Sequence, residues 1–264
     1  MKLDDVFFTL TNTCNICFRE NQEGYFCPQC QKDIKYNNVI CNKCGRSTIN
    51  PENFCNSCQN QDAFFEKARS VFLYLEPISL LVQKFKYNGK RYFGRIFAEP
   101  LSLVALKEFA DADILVNVPM HKKDKFRRGY NQTEILATEI SKITGIPFIN
   151  NVLKKDVRTK RQATLTKQDR KSNLKNVFSF TDKSLVKGKV IILVDDILTT
   201  GSTAEIISEK LIKAKAKKVY VLTIASVGER EQKDREEKLK NKKVGFFAKI
   251  FQKIYRHKQK NNVQ

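Results

Sequence analysis

The stretch Val190-Ile-Ile-Leu-Val-Asp-Asp-Ile-Leu-Thr-Thr-Gly-Ser-Thr203 decides the fold of this chain. Residues 190–194 are apolar and mostly β-branched, which is typical of a strand buried on both faces of a parallel sheet. Asp195 and Asp196 follow, and after a short turn the apolar periodicity predicts a helix over residues 204–214. A strand, a turn and a helix in this order indicate a βα unit. We therefore expect both acids at the carboxyl edge of the sheet, where open α/β sheets bind ligands.

The turn at residues 199–203 has the composition of a phosphate-binding loop. Small hydroxyl residues around Gly201 allow successive backbone N–H groups to point at one spot, and the following helix N-terminus adds partial positive charge there. Neighbouring carboxylates suit a sugar phosphate, because they can accept hydrogen bonds from ribose hydroxyls or bind Mg²⁺. An ordinary turn with a helix cap has the same composition, so spacing alone leaves both interpretations open.

Strands and helices alternate along the middle of the chain. The predicted strands cover residues 70–75, 113–118, 147–152, 190–194 and 218–225. The predicted helices cover residues 78–87 and 92–109, a segment that begins at Asn131 or Thr133 and ends at Ile143, and residues 204–214. This alternation predicts an α/β fold with parallel βαβ packing.

Eight cysteines near the N-terminus form four C-x-x-C pairs, namely Cys14/Cys17, Cys27/Cys30, Cys41/Cys44 and Cys55/Cys58. Each pair can present two thiolates to one tetrahedral metal, so the set suffices for two structural Cys₄ zinc sites. Short loops favour pairing the first pair with the second and the third with the fourth, while interleaved pairing or a single occupied site stays open. Disulfides are the alternative, and the lack of a signal peptide before the cysteines disfavours them. We also predict that Phe26 and Phe54 are core aromatics beneath the cysteine pairs and that Gly45 permits a tight turn.

The chain is strongly basic, with 49 Lys and Arg against 28 Asp and Glu and a formal net charge of +21. A charge of this size attracts polyanions at low salt, and nucleic acid, a sugar phosphate and acidic lipid all qualify. No run of eighteen or more apolar residues is present, so we expect no transmembrane helix. Paired free thiols without a targeting signal predict a cytoplasmic protein, with the inner face of the membrane as a further option.

Residues 229–264 differ in character from the rest of the chain. A mixed-charge run is followed by apolar residues at three- and four-residue steps, at Phe247, Ile250, Phe251, Ile254 and Tyr255. This pattern predicts a basic amphipathic helix that lies on anionic membrane, on a partner or on its own domain, with disorder as the alternative. We divide the chain into a cysteine-rich module (1–62), an α/β domain (63–228) and this tail.

Two zinc ribbons followed by the 190–203 stretch resemble the ComF (competence protein F) family, which is linked to uptake of transforming DNA. The stretch itself resembles the phosphoribosyl-pyrophosphate (PRPP) signature of type I phosphoribosyltransferases. Further segments that resemble the family's motifs in order are residues 81–89, 118–123, 127–132, 159–162 and 170–173. Asn117 departs from the family pattern, which usually has a proline there.

The resemblance implies a type I phosphoribosyltransferase-like domain that binds PRPP with Mg²⁺. It implies that Asp195 and Asp196 contact the ribose hydroxyls and carry the chemistry. The 5′-phosphate loop would comprise Thr199, Thr200, Gly201, Ser202 and Thr203. The pyrophosphate loop would comprise His121, Lys122 and Lys123, and a mobile catalytic loop over 154–170 would contribute Arg158 and Arg161.

Three functions are consistent with these patterns. The first is a ComF-type protein that binds PRPP and single-stranded DNA during natural transformation, with a competence helicase or the inner-membrane DNA-translocation machinery as partner and the tail on the membrane. The second is a metabolic phosphoribosyltransferase acting on a nucleobase. The third is a non-catalytic regulator that senses PRPP. No residue set for recognising a base is evident, so the acceptor is not identified, and the resemblance to the family favours the first function.

Overall fold

A computed structural model describes residues 13–21, 24–48, 54–59, 63–157 and 177–228. The helices are α1 (Pro28–Asp33), α2 (Asn56–Gln59), α3 (Ile78–Tyr87), α4 (Phe93–Glu108), α5 (Lys122–Arg128), α6 (Gln132–Thr144) and α7 (Ser202–Lys213). The strands are β1 (Lys67–Leu73), β2 (Ile114–Asn117), β3 (Leu153–Lys155), β4 (Phe178–Phe180), β5 (Val190–Leu198) and β6 (Lys218–Ser226). The predicted α/β class is confirmed.

The main sheet has the strand order β1-β6-β5-β2, and all three pairings are parallel. The strand β5 therefore lies in the interior, with Val194 in register with Leu222 of β6 and with Asn117 of β2. A separate antiparallel pair is formed by β3 and β4. Because the four parallel strands end at the same edge, the segments that follow them meet there.

The core has two parts, one on each face of the sheet. Ile192 and Val194 of β5 pack on the face covered by α3, α4 and α6. Ile191 and Leu193 pack on the opposite face, against α7, the β3–β4 pair and the second group of cysteines. Successive side chains of a strand point to opposite faces, so burial on both faces explains the continuous apolar run that begins β5.

Three parts of the structure differ from the sequence predictions. The strand expected over 190–194 continues to Leu198, because backbone pairing with β6 carries it through the polar positions. The strand expected over 147–152 is reduced to one parallel bridge between Phe148 and Leu115. Residues 122–128 form α5, for which the sequence has no apolar periodicity.

The cysteine-rich module covers the outer edge of β1. The Asn37 N–H donates to the Val71 carbonyl at 2.9 Å, and the Ala68 N–H donates to the Lys43 carbonyl at 2.8 Å. Gly45 has a φ of +65°, as the predicted tight turn requires, and an added Cβ would lie 2.2 Å from the Ala68 oxygen. The module thus occupies backbone groups that an edge strand otherwise exposes to intermolecular pairing.

Residues 158–170 of the expected catalytic loop (154–170) and the tail 229–264 lie outside the described residues. Residues 154 and 155, which were expected in that loop, belong to β3. Within the described part of the chain, no helix is both long and apolar enough to cross a membrane.

Candidate functional site

The strand β5 directs its two acids to opposite faces of the sheet. Asp196 follows the alternation of Val194 and lies on the face of α3 and α6, where it contacts Lys86 and Gln132. Asp195 lies on the other face, where its charge acts on the ammonium group of Lys155 in β3. The two carboxylates are therefore neighbours in sequence with separate surroundings.

Asp196 is held by an ion pair and a hydrogen bond. The Lys86 ammonium lies 2.9 Å from one carboxylate oxygen, and the Gln132 amide donates to the other. Gln132 in turn accepts a hydrogen bond from Arg128, whose guanidinium stacks 4.9 Å from the centre of the Tyr87 ring. Asp196 is only 7% exposed, and each of its carboxylate oxygens contacts a protein group.

The segment around the end of α3 and the segment between α5 and α6 are joined by further hydrogen bonds. The Tyr130 hydroxyl donates to the Phe85 carbonyl, and the Arg91 guanidinium donates to the Gly129 carbonyl at 3.1 Å. These contacts join the end of α3 to the residues between α5 and α6. The 81–89 and 127–132 motifs thus form one support beneath Asp196.

Asp195 has a strongly shifted acidity. Desolvation of its carboxyl, together with repulsion from Asp196, raises the pKa of Asp195 to about 7. The Asp196 N–H donates to an Asp195 carboxylate oxygen at 2.8 Å, and Lys86 and Lys155 attract the negative charge, so these groups oppose the rise. An acidic group poised near neutral pH at a sheet edge is typical of a binding or catalytic site.

Burial also affects the lysine opposite Asp195. It lowers the pKa of Lys155, while the carboxylates of Asp124 and Asp195 act in the other direction. Asp124 belongs to α5, so α5 and the β3–β4 pair both lie within electrostatic range of the acids.

The turn after β5 has the geometry of an anion-binding loop. Gly201 adopts a left-handed conformation, with a φ of +77°, immediately before α7. The Thr200 and Ser202 hydroxyls lie 2.9 Å apart, and Ser202 is buried. The first N–H groups of the twelve-residue helix α7 have no partner four residues earlier. These donors and the helix dipole favour a phosphate at this position.

The segment after β2 is fixed by side chains of the following motif. The Val118 carbonyl accepts hydrogen bonds from the Asn131 amide at 3.1 Å and the Thr133 hydroxyl at 2.7 Å. Asn131 also caps α6 by accepting from the Thr133 N–H. The loop therefore has a defined shape although Asn117 replaces the usual proline.

The predicted pyrophosphate residues lie at the start of α5. The His121 Nδ1 accepts a hydrogen bond from the Lys123 N–H at 3.2 Å, so His121 is the helix cap and only Nε2 remains for a proton transfer. Lys122 and Lys123 are exposed on the first turn of the helix. They follow β2, which neighbours β5, and so lie at the same edge as the acids.

The structure brings the predicted acids, the 199–203 turn and the 121–123 segment to one sheet edge, while their roles remain predictions. Arg158 and Arg161 lie outside the described residues. The sequence interpretation missed Lys86, Gln132 and Lys155. The first two lie inside segments already singled out by resemblance, but no spacing rule relates them to an acid more than sixty residues away.

The cysteines form two groups, and their pairing follows the sequential prediction. Cys14, Cys17, Cys27 and Cys30 form one group, and Cys41, Cys44, Cys55 and Cys58 form the other, with the four sulfurs of each within 4.8 Å of one another. In the second group, hydrogen bonds from the other cysteines hold the pKa of Cys41 below the usual thiol range, and the hydrogen bond with Cys44 has the largest effect. Four sulfurs at this spacing fit the tetrahedral site of a Zn²⁺ ion, whose binding deprotonates the remaining thiols.

The second cysteine group includes a charged neighbour that the sequence did not predict. Arg46 is buried and lies 3.4 Å from the Cys44 sulfur and 3.6 Å from the Cys55 sulfur. Its positive charge offsets the negative charge that four thiolates carry. Phe26 is partly buried and packs on the core, as predicted. The prediction for Phe54 was wrong, because this side chain is 50% exposed.

Comparison with known proteins gives a family match over half of the chain. Residues 127–259 match the family described as "Phosphoribosyl transferase domain". Competence protein F of Haemophilus influenzae is 33% identical over 205 residues, which covers 75% of this chain and 89% of the relative. Competence protein ComFC of Bacillus subtilis is 26% identical over 231 residues, with coverage of 84% and 92%.

Among solved structures, the purine phosphoribosyltransferase from Pyrococcus horikoshii Ot3 is similar to part of this chain. It is 21% identical with a TM-score of 0.32, and the match covers 50% of this chain and 70% of that one. The two competence proteins, in contrast, are matched over 89% and 92% of their own length.

Proposed function

Because the chain belongs to the competence protein F family, we propose that it binds PRPP with Mg²⁺ and binds single-stranded DNA during DNA uptake. The observation that carries this proposal is the placement of Asp195 and Asp196 beside the 199–203 turn at the carboxyl edge of β5. Carboxylates next to a phosphate cradle match the two parts of a phosphorylated ribose.

Each part of the site has a distinct task in this proposal. The backbone N–H groups and hydroxyls of residues 199–203 bind the 5′-phosphate at the start of α7. Asp195 and Asp196 accept hydrogen bonds from the ribose hydroxyls. Lys122 and Lys123 attract the pyrophosphate from the neighbouring strand end. Lys86 and Gln132 touch only Asp196 among these groups and act as positioning residues.

The residues present fit a Mg²⁺ ion, because carboxylate and phosphate oxygens are its preferred ligands. When bound, Mg²⁺ would neutralise charge on the pyrophosphate. Any bond cleavage at the ribose C1 would leave negative charge on the departing pyrophosphate. Lys122 and Lys123, with Arg158 and Arg161 by resemblance, are the side chains proposed to stabilise it.

The zinc-binding groups serve the architecture in this proposal. Two Zn²⁺ ions would hold the two cysteine groups, and the second group packs directly on the α/β domain. The net charge of +21 supports binding of a polyanion, and single-stranded DNA is the partner proposed from the competence relatives. The protein would act in the cytoplasm, with the competence helicase or the translocation machinery as partners and a membrane contact through its tail.

The proposal is tested by titrating single-stranded DNA into the full chain with and without Mg-PRPP. We expect saturable binding of both ligands, with salt-dependent affinity for DNA. Measuring pyrophosphate release in the same samples, with a panel of nucleobases, checks the metabolic alternative. Base-dependent release without DNA binding would replace the proposal by a metabolic phosphoribosyltransferase. Intact PRPP that changes DNA affinity would establish the sensing function.

A further inference from the structure

The helix α5 exposes an aromatic ring to solvent. Phe126 is 92% exposed, the highest value among the exposed large hydrophobic side chains of the described residues. Its helix has the sequence Lys122-Lys-Asp-Lys-Phe-Arg-Arg128 and buries none of its seven residues. Packing in the core therefore does not account for a phenylalanine at this position.

The charges around Phe126 are almost all positive. The helix contains five basic residues and one acid, Asp124. Arg127 pairs with Asp124 at 3.4 Å, and Lys125 pairs with Glu134 at 2.7 Å. Lys122 and Lys123 form no ion pair with the residues that the structure describes. The surface around the ring thus keeps an excess of positive charge.

A second exposed aromatic ring contacts the last residue of α5. Tyr87 is 50% exposed, and Arg128 of α5 stacks on its ring at 4.9 Å. Also in the last turn of α3, Lys84 lies 4.6 Å from the ring centre of Phe18, which is 66% exposed. Two exposed rings, those of Phe18 and Tyr87, are thus each in contact with a cation. We call Phe126, Tyr87, Arg128, Lys122 and Lys123 the α5 patch.

The α5 patch adjoins the proposed PRPP site. The helix begins directly after the segment that follows β2, and its Arg128 donates to Gln132, which in turn donates to Asp196. A chain of contacts therefore leads from the patch to one of the two acids.

We infer that the α5 patch binds single-stranded nucleic acid, with Phe126 stacking on a base and Lys122, Lys123 and Arg128 contacting the backbone. Proteins that bind single strands combine a basic surface with rings on which bases stack, and this arrangement tolerates any sequence. The inference rests on the proposed function and adds the surface that binds the strand.

A membrane contact would need a different surface. Helices that lie on a bilayer present a broad apolar face beneath their cations. The helix α5 has one apolar side chain among seven residues, and the other six are all charged. One ring between cations suits a base above it and phosphates beside it.

The absence of tryptophan from the sequence allows a direct test. Phe126→Trp introduces a single indole at an exposed position, and Leu103→Trp on α4, where Leu103 is 70% exposed, is the matched control. Titration with a mixed-sequence single strand should quench the indole fluorescence of Phe126→Trp strongly and that of Leu103→Trp weakly. Vesicles containing anionic lipid provide the second arm. A blue shift with vesicles and no quenching with DNA would assign the patch to membranes and overturn the inference.

Affinity gives an independent measurement in the full-length chain. Phe126→Ala should weaken single-strand binding by at least about fivefold, as expected for loss of one stacked base, while Leu103→Ala binds like the wild type. Phe126→Tyr should restore most of the loss, because a ring returns. Since Phe126 is exposed, thermal stability should not change.

The outcomes separate this inference from the proposed function. If wild type binds single-stranded DNA and Phe126→Ala binds equally well, the patch is not the binding surface and the proposed function stands. If wild type binds Mg-PRPP and no DNA, both the inference and the DNA part of the proposed function are overturned. Calorimetry with Mg-PRPP on the same preparations makes this distinction.

Discussion

Asp195 gives the site a pH dependence that can be measured. Because burial and Asp196 raise the pKa of Asp195 to about 7, the free protein holds a proton there below that pH. Mg²⁺ and ribose hydroxyls require the ionised carboxylate, so we expect Mg-PRPP affinity to increase as pH rises from about 6 to about 8. Calorimetry in buffers of different ionisation enthalpy should detect proton release on binding.

The contribution of Asp195 to folding stability changes with pH in the opposite direction to the Mg-PRPP affinity. The folded protein binds a proton at Asp195 between about pH 4 and pH 7, where an unfolded aspartate does not. This group therefore stabilises the fold as pH falls through that window. Asp195→Asn should abolish both effects. An unchanged proton release in this variant would contradict the assignment to Asp195.

The pair of Lys86 and Asp196 is suited to a double-mutant cycle. Both side chains are mostly buried, at 14% and 10% exposed. Lys86→Met leaves the carboxylate without its cation and should cost about 3 kcal/mol of unfolding free energy, measured in urea. Adding Asp196→Asn removes both charges and should recover much of that loss. Costs that simply add would mean that the pair is not coupled in solution.

At the scale of elements, the contact between the cysteine module and β1 depends on one glycine. Gly45 and Gly188 both have a positive φ, of 65° and 71°, but only Gly45 would place a Cβ against backbone, 2.2 Å from the Ala68 oxygen. Gly188→Ala should cost about 1 to 2 kcal/mol from conformation alone. Gly45→Ala should cost at least about 1 kcal/mol more, because the module must shift. Equal melting temperatures for the two variants would argue against this close packing.

The order of strands and helices was predictable from the sequence. A strand buried on both faces, such as β5, has a continuous apolar run, and turn residues indicate where helices end. The length of β5 was not predictable, because backbone pairing with β6 extends the strand through Asp195 and Asp196. The helix α5 was not predicted, because it buries no residue and its sequence therefore has no apolar periodicity. The acids and the 199–203 turn were predictable from adjacency. Lys86 reaches Asp196 only through tertiary packing.

At the scale of the whole molecule, the cysteine groups predict a definite metal content. We expect two zinc ions per chain by elemental analysis, because eight sulfurs form two separate groups of four. Removal by a strong chelator should unfold the module and promote association through the uncovered edge of β1. A content near one ion would require a revised set of ligands.

The most direct measurement of the central claim is a calorimetric titration of Mg-PRPP into wild type and the Asp195→Asn/Asp196→Asn double variant. Asp182→Asn, at an exposed position outside the site, is the matched control. We predict binding to wild type and control, at least about 100-fold weaker binding to the double variant, and unchanged zinc content in all three. Wild-type affinity in the double variant would contradict the claim that these acids and the adjoining turn bind the activated ribose.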